Sequence, residues 1–163
     1  MGNVYERVKM IASKDCYAII KWYEASNDPD LVAYLDKDDG WTIGWGHMGK
    51  DVHRDMAITR SKADELLVED VEWAERCVSK RVDVGLSQGQ FDALVDFVYN
   101  LGGGTFTEEN CTLLRLLNQH NYEGAADEFK RWVYDDGRKL DGLIKRRKTE
   151  EVLFRTGKLN LEQ

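Results

Sequence analysis

The segment that most restricts how this chain can fold runs from Ser87 to Gly104. Ser87 and Gln90 have the spacing of a capping box, in which two side chains each take up a backbone amide at the start of a helix. Phe91, Ala93, Leu94, Val95, Phe97, Val98 and Leu101 follow, apolar on nearly every side of the helix they would form. A helix that is apolar all round has no face to turn to water, so it belongs in the centre of a core. Gly102-Gly103-Gly104 stops it. Everything else in the chain has to be arranged around this element.

Upstream, Val8, Ile11, Ile19, Ile20 and Trp22 supply an apolar face, with Ser13-Lys14-Asp15 as cap and a helix from about Ser13 to Glu24. Ala25-Ser26-Asn27-Asp28-Pro29 carries turn formers and the chain's one proline, which ends that helix and leaves Glu24 on its last turn. Residues 31 to 58 read as short strands. Within them Trp41 to Gly46 alternates polar and apolar residues, the pattern of a strand or hairpin arm. From Thr59 a long helix begins, with Ala63, Leu66, Leu67, Val71, Ala74 and Val78 on one stripe, and Val82 to Gly85 breaks it. Shorter helices are expected at about 111–119, 122–134 and 141–156. The whole predicts an α+β chain, mostly α and two-lobed. A small lobe at about 25–58 is joined by a connecting helix at about 59–80 to a helical lobe at 81–163, which includes the N-terminal helix.

Composition narrows the function. At 163 residues, 42% apolar and 33% charged, the chain has the make-up of a soluble globular protein large enough for a sizeable core. A net charge of -7 argues against a nucleic-acid partner, because nothing neutralises a phosphate backbone, and it gives no long-range attraction to anionic membranes or wall polymers. Cys16, Cys77 and Cys111 are too few and too scattered for a disulfide framework or a zinc site, and read as free thiols. The opening residues alternate charge and apolarity, which is the pattern of neither a signal peptide nor a membrane anchor, and Gly2 lacks the hydroxyl residue that myristoylation needs at the sixth position.

The stretch from Glu24 to His47 is the densest in chemistry, with carboxylates, a hydroxyl, aromatics and glycines close together. Asp36 to Gly40 is a poor calcium loop, since its glycine comes at the fifth position and His47 stands at the twelfth. His47 and His53 with an aspartate lack metal-site spacing. Two readings stay open from the residues alone, a plain acidic loop and a pair of acid/base carboxylates in a sugar-binding groove. A carboxyl leaving an apolar helix, as Glu24 does, is in a position to be partly desolvated and kept protonated as an acid.

Ala33-Tyr34-Leu35-Asp36 followed by Gly40-Trp41-Thr42-Ile43-Gly44-Trp45-Gly46-His47 resembles the active-site signature of the phage-type lysozymes, glycoside hydrolase family 24. The likeness continues through Leu86 to Leu94, Phe97 to Gly102, Thr112 to Leu114, Ala125 to Trp132 and Gly142 to Arg147, nearly the whole chain in the family's order. It implies a lysozyme-like fold and a muramidase that cuts the β-1,4 bond between N-acetylmuramic acid and N-acetylglucosamine, with no metal or cofactor. Glu24 then matches the catalytic acid, Asp36 the second carboxylate, and Thr42 the hydroxyl that positions the attacking water. An inverting mechanism is implied, which needs the two carboxyls roughly 6.5–9.5 Å apart. Peptidoglycan is the implied partner of an endolysin that acts as a monomer, without stable membrane insertion. It would be made in the host cytoplasm and released to the wall. A non-catalytic peptidoglycan-binding relative and a secreted toxin-type lysozyme are the alternatives.

Two departures stand out. The gap from Ala25 to Leu35 is longer than the family's usual spacing, which is expected to place an insert in Ser26 to Asp30, with Asp30 and Asp39 as substitutes for Asp36. Thr107 to Asn110 also adds residues before Cys111. Among the remaining matches, His47 and Asp70 resemble a structural ion pair joining the lobes, and Arg146 resembles the arginine beside the catalytic glutamate. Tyr99 and Thr112 fall where the family lines its sugar cleft. Lys145, Arg147 and Lys148 read as a solvated helix face, and Trp132 and Phe154 as core.

Overall fold

A computed structural model of the chain describes residues 9–36 and 40–161. Gly2, and the Asp38 and Asp39 of the acidic loop, lie outside the described residues. The elements run α1 (Lys14–Ala25), β1 (Asp30–Asp36), β2 (Gly40–Gly44), β3 (His47–Met48), α2 (Arg60–Arg81), α3 (Gln88–Leu101), α4 (Thr112–Asn118), α5 (Tyr122–Glu128), β4 (Tyr134–Asp135), β5 (Arg138–Lys139) and α6 (Asp141–Thr156). The fold is α+β and mostly helical.

Local chemistry starts these helices where the residues require. Ser13 and Thr59 cap α1 and α2 through their side chains, and Ser87 with Gln90 closes the full capping box of α3. α3 is the buried centre, packed by α6, α2 and α1. Its Phe91, Leu94, Val95, Phe97 and Val98 are at most 1% exposed. Phe97 meets Phe106, Phe129 and Trp132 edge-on, with ring centroids 5.3–6.2 Å apart, the arrangement that the ring quadrupoles favour. Buried acids anchor α1 to this centre. Asp92 of α3 accepts from the Ser13 amide at 2.9 Å, and Glu75 of α2 accepts from the Ala12 amide at 2.6 Å.

Beside α1, β1, β2 and β3 form an antiparallel sheet in that order. Ala33 and Ile43 of the sheet make a small second core with Val52 and with Leu66 of α2. The other face of α2, through Ala63, Leu67, Val71, Ala74 and Val78, packs into the main core. One helix therefore ties the sheet to the helical body.

Two expectations need correcting. The helix foreseen at 122–134 ends at Glu128, continues as a single tight turn over Phe129–Arg131, and gives way to the hairpin β4–β5. Asp136 and Gly137, at φ 44° and 74°, form its two-residue turn, which demands left-handed backbone at both positions and which Asp-Gly supplies. Arg147, expected on a solvated face, is 1% exposed. The cause is the depth to which α6 sinks against α3, which buries Arg146, Arg147, Thr149, Glu150, Leu153 and Phe154 together, while Lys145 and Lys148 stay exposed.

Ser26 and Asn27 adopt left-handed backbone as α1 ends, and the β1–β2 register shifts between Asp30 and Tyr34.

Candidate active site

Glu24 sits on the last turn of α1, and the β2–β3 turn passes over its carboxylate. Gly46 in that turn has φ 96°, and a Cβ there would lie 3.5 Å from Glu24 Oε2, so backbone strain more than space demands glycine. The other oxygen, Oε1, accepts from Arg146 Nη1 at 2.6 Å. Arg146 is buried, and its Nε and Nη2 donate to the two oxygens of fully buried Asp96 at 3.0 and 2.7 Å. Burial opposes charge on both groups. Their mutual attraction wins, holding the Asp96 carboxyl below the usual carboxylate range and Arg146 firmly protonated.

A second buried pair stands next to the first. Arg147 Nη2 donates to Asn100 Oδ1 at 2.8 Å and to Glu150 Oε1 at 2.9 Å, with the guanidinium 5.1 Å from the Phe97 ring centre. Arg147 Nε lies 2.8 Å from Glu150 Oε2 but is not aligned to bond it, so Nε, Nη1 and that oxygen have no hydrogen-bond partner among the described residues. Burial pushes the Glu150 carboxyl well above its ordinary value.

The sheet brings Asp36 to the end of β1, opposite Gly40 of β2, and Thr42 lies one strand across, opposite Tyr34. Tyr34 stands within electrostatic reach of three carboxylates. Burial first, then Asp30, Asp36 and Glu24, raise its phenol pKa. Thr42 is 4% exposed and its hydroxyl donates to the Gly40 carbonyl at a long 3.4 Å. His47 of β3 reaches Asp70 of α2 through Nδ1 at 2.9 Å and Asp51 through Nε2 at 3.2 Å. Burial works against the imidazolium, but the two carboxylates outweigh it and raise the His47 pKa. On Asp70 burial wins instead, and its carboxyl is also raised.

Between the sheet and the helices lies a cleft of about 510 Å³. Glu24, Gly46 and Met48 line one side, and Glu69, Asp70 and Trp73 of α2 with Tyr99 and Asn100 of α3 line the other. Of the residues singled out from sequence, Glu24, Asp70 and Tyr99 meet here. Tyr99 donates to the Trp45 carbonyl at 3.4 Å, and burial with the nearby Glu24 and Asp70 charges drives its phenol far up. Thr112 lies elsewhere, at the first position of α4, where its hydroxyl accepts from Arg115 at 2.8 Å. A larger hollow of about 600 Å³ near Met10, Val78 and Phe91 has Lys9 and Ser79 as its polar side chains among the described residues, and no acid/base pair among them.

Sequence reasoning passed over Asp96, Trp73, Glu69 and Asn100. Two of them carried a signal. Asp96, like Asp92, is a charge on a largely apolar, central helix, and such a charge has to be paired. Trp73 is a large aromatic off the apolar stripe of α2, and it is 45% exposed.

A helical body with a small antiparallel sheet on one side and a carboxylate-lined cleft between them is the lysozyme-like α+β architecture. A solved variant of P22 lysozyme superposes with a TM-score of 0.78 at 39% identity, covering 90% of this chain and 99% of that one. The sequence profile described as Phage lysozyme matches residues 27–150, and the chain belongs to that family. The endolysin of Salmonella phage P22 is 43% identical over 128 residues, 76% of this chain and 86% of that protein. The endolysin of Bacillus phage B103 is 45% identical over 117 residues, 72% of this chain and 44% of that protein. The chain thus spans less than half the length of the Bacillus phage relatives it matches. Among the described residues no helix is long and apolar enough to cross a membrane.

Proposed function

We propose that the chain is a muramidase that hydrolyses the β-1,4 bond between N-acetylmuramic acid and N-acetylglucosamine in peptidoglycan, acting as a phage endolysin. The observation that carries this reading is the Glu24 carboxylate on the cleft wall with its two oxygens differentiated. Oε1 is engaged by Arg146, which leaves Oε2, on the Gly46 side, to carry the proton to the leaving oxygen. Arg146 is held in place in turn by the buried Asp96 carboxylate at 2.7 Å.

In the same reading Asp36 is the second carboxylate and Thr42 orients the attacking water, giving inversion. Tyr99 supports the sugar in the cleft, whose lining does not include Thr112. His47 and Asp70 hold the sheet against α2. The enzyme acts as a monomer and reaches the wall once the inner membrane is breached. Glu24→Gln preserves the shape and removes the proton, so it should abolish clearing of chloroform-permeabilised Gram-negative cells while circular dichroism is unchanged. Clearing at the wild-type rate would remove Glu24 from the mechanism.

A further inference from the structure

Past the far side of Trp73 the character of the surface reverses. The cleft lining carries Glu24, Glu69 and Asp70 and no cation. The adjoining pocket, about 370 Å³, carries Arg76, Lys80 and Arg81 and no acid. Trp73 lines both. In a chain of net charge -7, a hollow whose described lining is purely basic is out of keeping with the rest of the surface.

The two hollows are built from the same pair of elements. Residues 70, 73, 77 and 80 of α2 follow one face of the helix, at the spacing of successive turns. α3 supplies Tyr99 and Asn100 to the cleft, and the glycines just beyond its end complete the pocket. From Asp70 to Lys80 the helix rises ~15 Å, the reach of about four or five extended residues.

The pocket is also held in shape. A Cβ on Gly103 would come within 2.9 Å of the Trp73 ring and 3.2 Å of Cys77 Sγ, so only glycine lets this backbone pass against the indole. Arg81 Nη1 donates to the carbonyls of Gly103 and, at 2.8 Å, Phe106, and to Cys77 Sγ at 3.0 Å, which pins the loop to α2. Arg76 keeps a loose 3.6 Å pair with Glu72, both well exposed, and such a pair yields readily to a competing anion.

We infer that this basic pocket binds the carboxylate-bearing peptide stem of the peptidoglycan strand whose sugars occupy the cleft, with Trp73 as the wall between sugar and peptide. The inference rests on the muramidase reading for the identity of the strand. Lys80 and Arg81 also stand in the last turn of α2, where cations favour the helix dipole. A purely helix-stabilising role would change melting but not the choice between ligands.

The test is calorimetric binding of two soluble fragments to the full chain. One is a disaccharide carrying its stem peptide, and the other is the same disaccharide stripped by an amidase; neither contains the bond to be cut. Wild type should bind the peptide-bearing fragment more tightly. The doubly neutralised Arg76→Gln/Lys80→Gln protein should bind it on the order of five- to tenfold more weakly, as expected for two exposed cations near a carboxylate, with affinity for the stripped fragment unchanged. In about 1 M salt, where the Debye length falls to roughly 3 Å, the wild-type preference should collapse. Arg81 is left intact because it pins the loop. Equal affinity of wild type for both fragments would overturn the proposal, and so would a parallel loss for both in the variant. Cell-wall lysis by wild type is measured beside it. Its absence would sink the muramidase reading while the binding preference still reads the pocket.

Discussion

Asp96→Asn should show how much the buried Arg146 cation depends on its carboxylate partner. The substitution keeps the side chain's volume and removes its charge. Arg146, 3% exposed, then loses its only fully buried bidentate partner and keeps Glu24 at 2.6 Å and a distant Glu150 at 4.0 Å. Removing one partner of a buried pair costs about 3–5 kcal/mol. The amide oxygen can still accept one of the two bonds, and Glu24 remains, which places the expected loss near the bottom of that range, about 3 kcal/mol. For a chain of this size each kcal/mol lowers the melting temperature by ~2–4 °C, so a fall of ~6–12 °C is expected in thermal unfolding followed by circular dichroism. A melting shift below ~2 °C would refute the argument.

The neighbouring pair offers a cycle of its own. Arg147→Met and Glu150→Leu should each destabilise, the single changes by up to about 3–5 kcal/mol, whereas the double change should restore most of the loss in urea unfolding, because no lone buried charge remains. Additive losses would show that the pair contributes more than its desolvation costs. Asp70→Asn should lower stability by about 1–3 kcal/mol, between the values for exposed and buried pairs, because Asp70 is partly exposed and Asp51 still faces His47. Activity at low temperature should survive it. His47 is raised above 6.5 in the folded protein, so its contribution is fully present below that pH and is lost as the pH climbs through the folded value. Melting temperature should therefore decline on the alkaline side of 6.5 in wild type and decline less in Asp70→Asn; parallel curves would remove His47 as the cause.

Much of this molecule is written in short-range patterns. Capping at Ser13, Thr59 and Ser87 and the periodicity from Phe91 to Leu101 involve residues within a turn or two of each other, so they can be read without knowing where the chain goes. The Asp136-Gly137 turn was equally local, and the apolar Trp132-Val133-Tyr134 before it disguised a hairpin as the end of a helix. Glu24 was placed on its helix end by turn chemistry. Its resemblance to a catalytic acid came from the spacing of a motif, and periodicity had no part in that.

Charge pairing was decided elsewhere. Lys145-Arg146-Arg147-Lys148 is one run of like residues, yet its middle two are buried and its outer two exposed, because α6 docks into the groove beside α3 at one particular rotation. Arg146 joins Asp96 across 50 positions and Glu24 across 122. Local sequence can say that Asp96 needs a partner, but not that the partner is Arg146. A helix specifies which residues share its face, but whether that face meets water or a buried carboxylate depends on which other segment packs there, and only the assembled fold determines that.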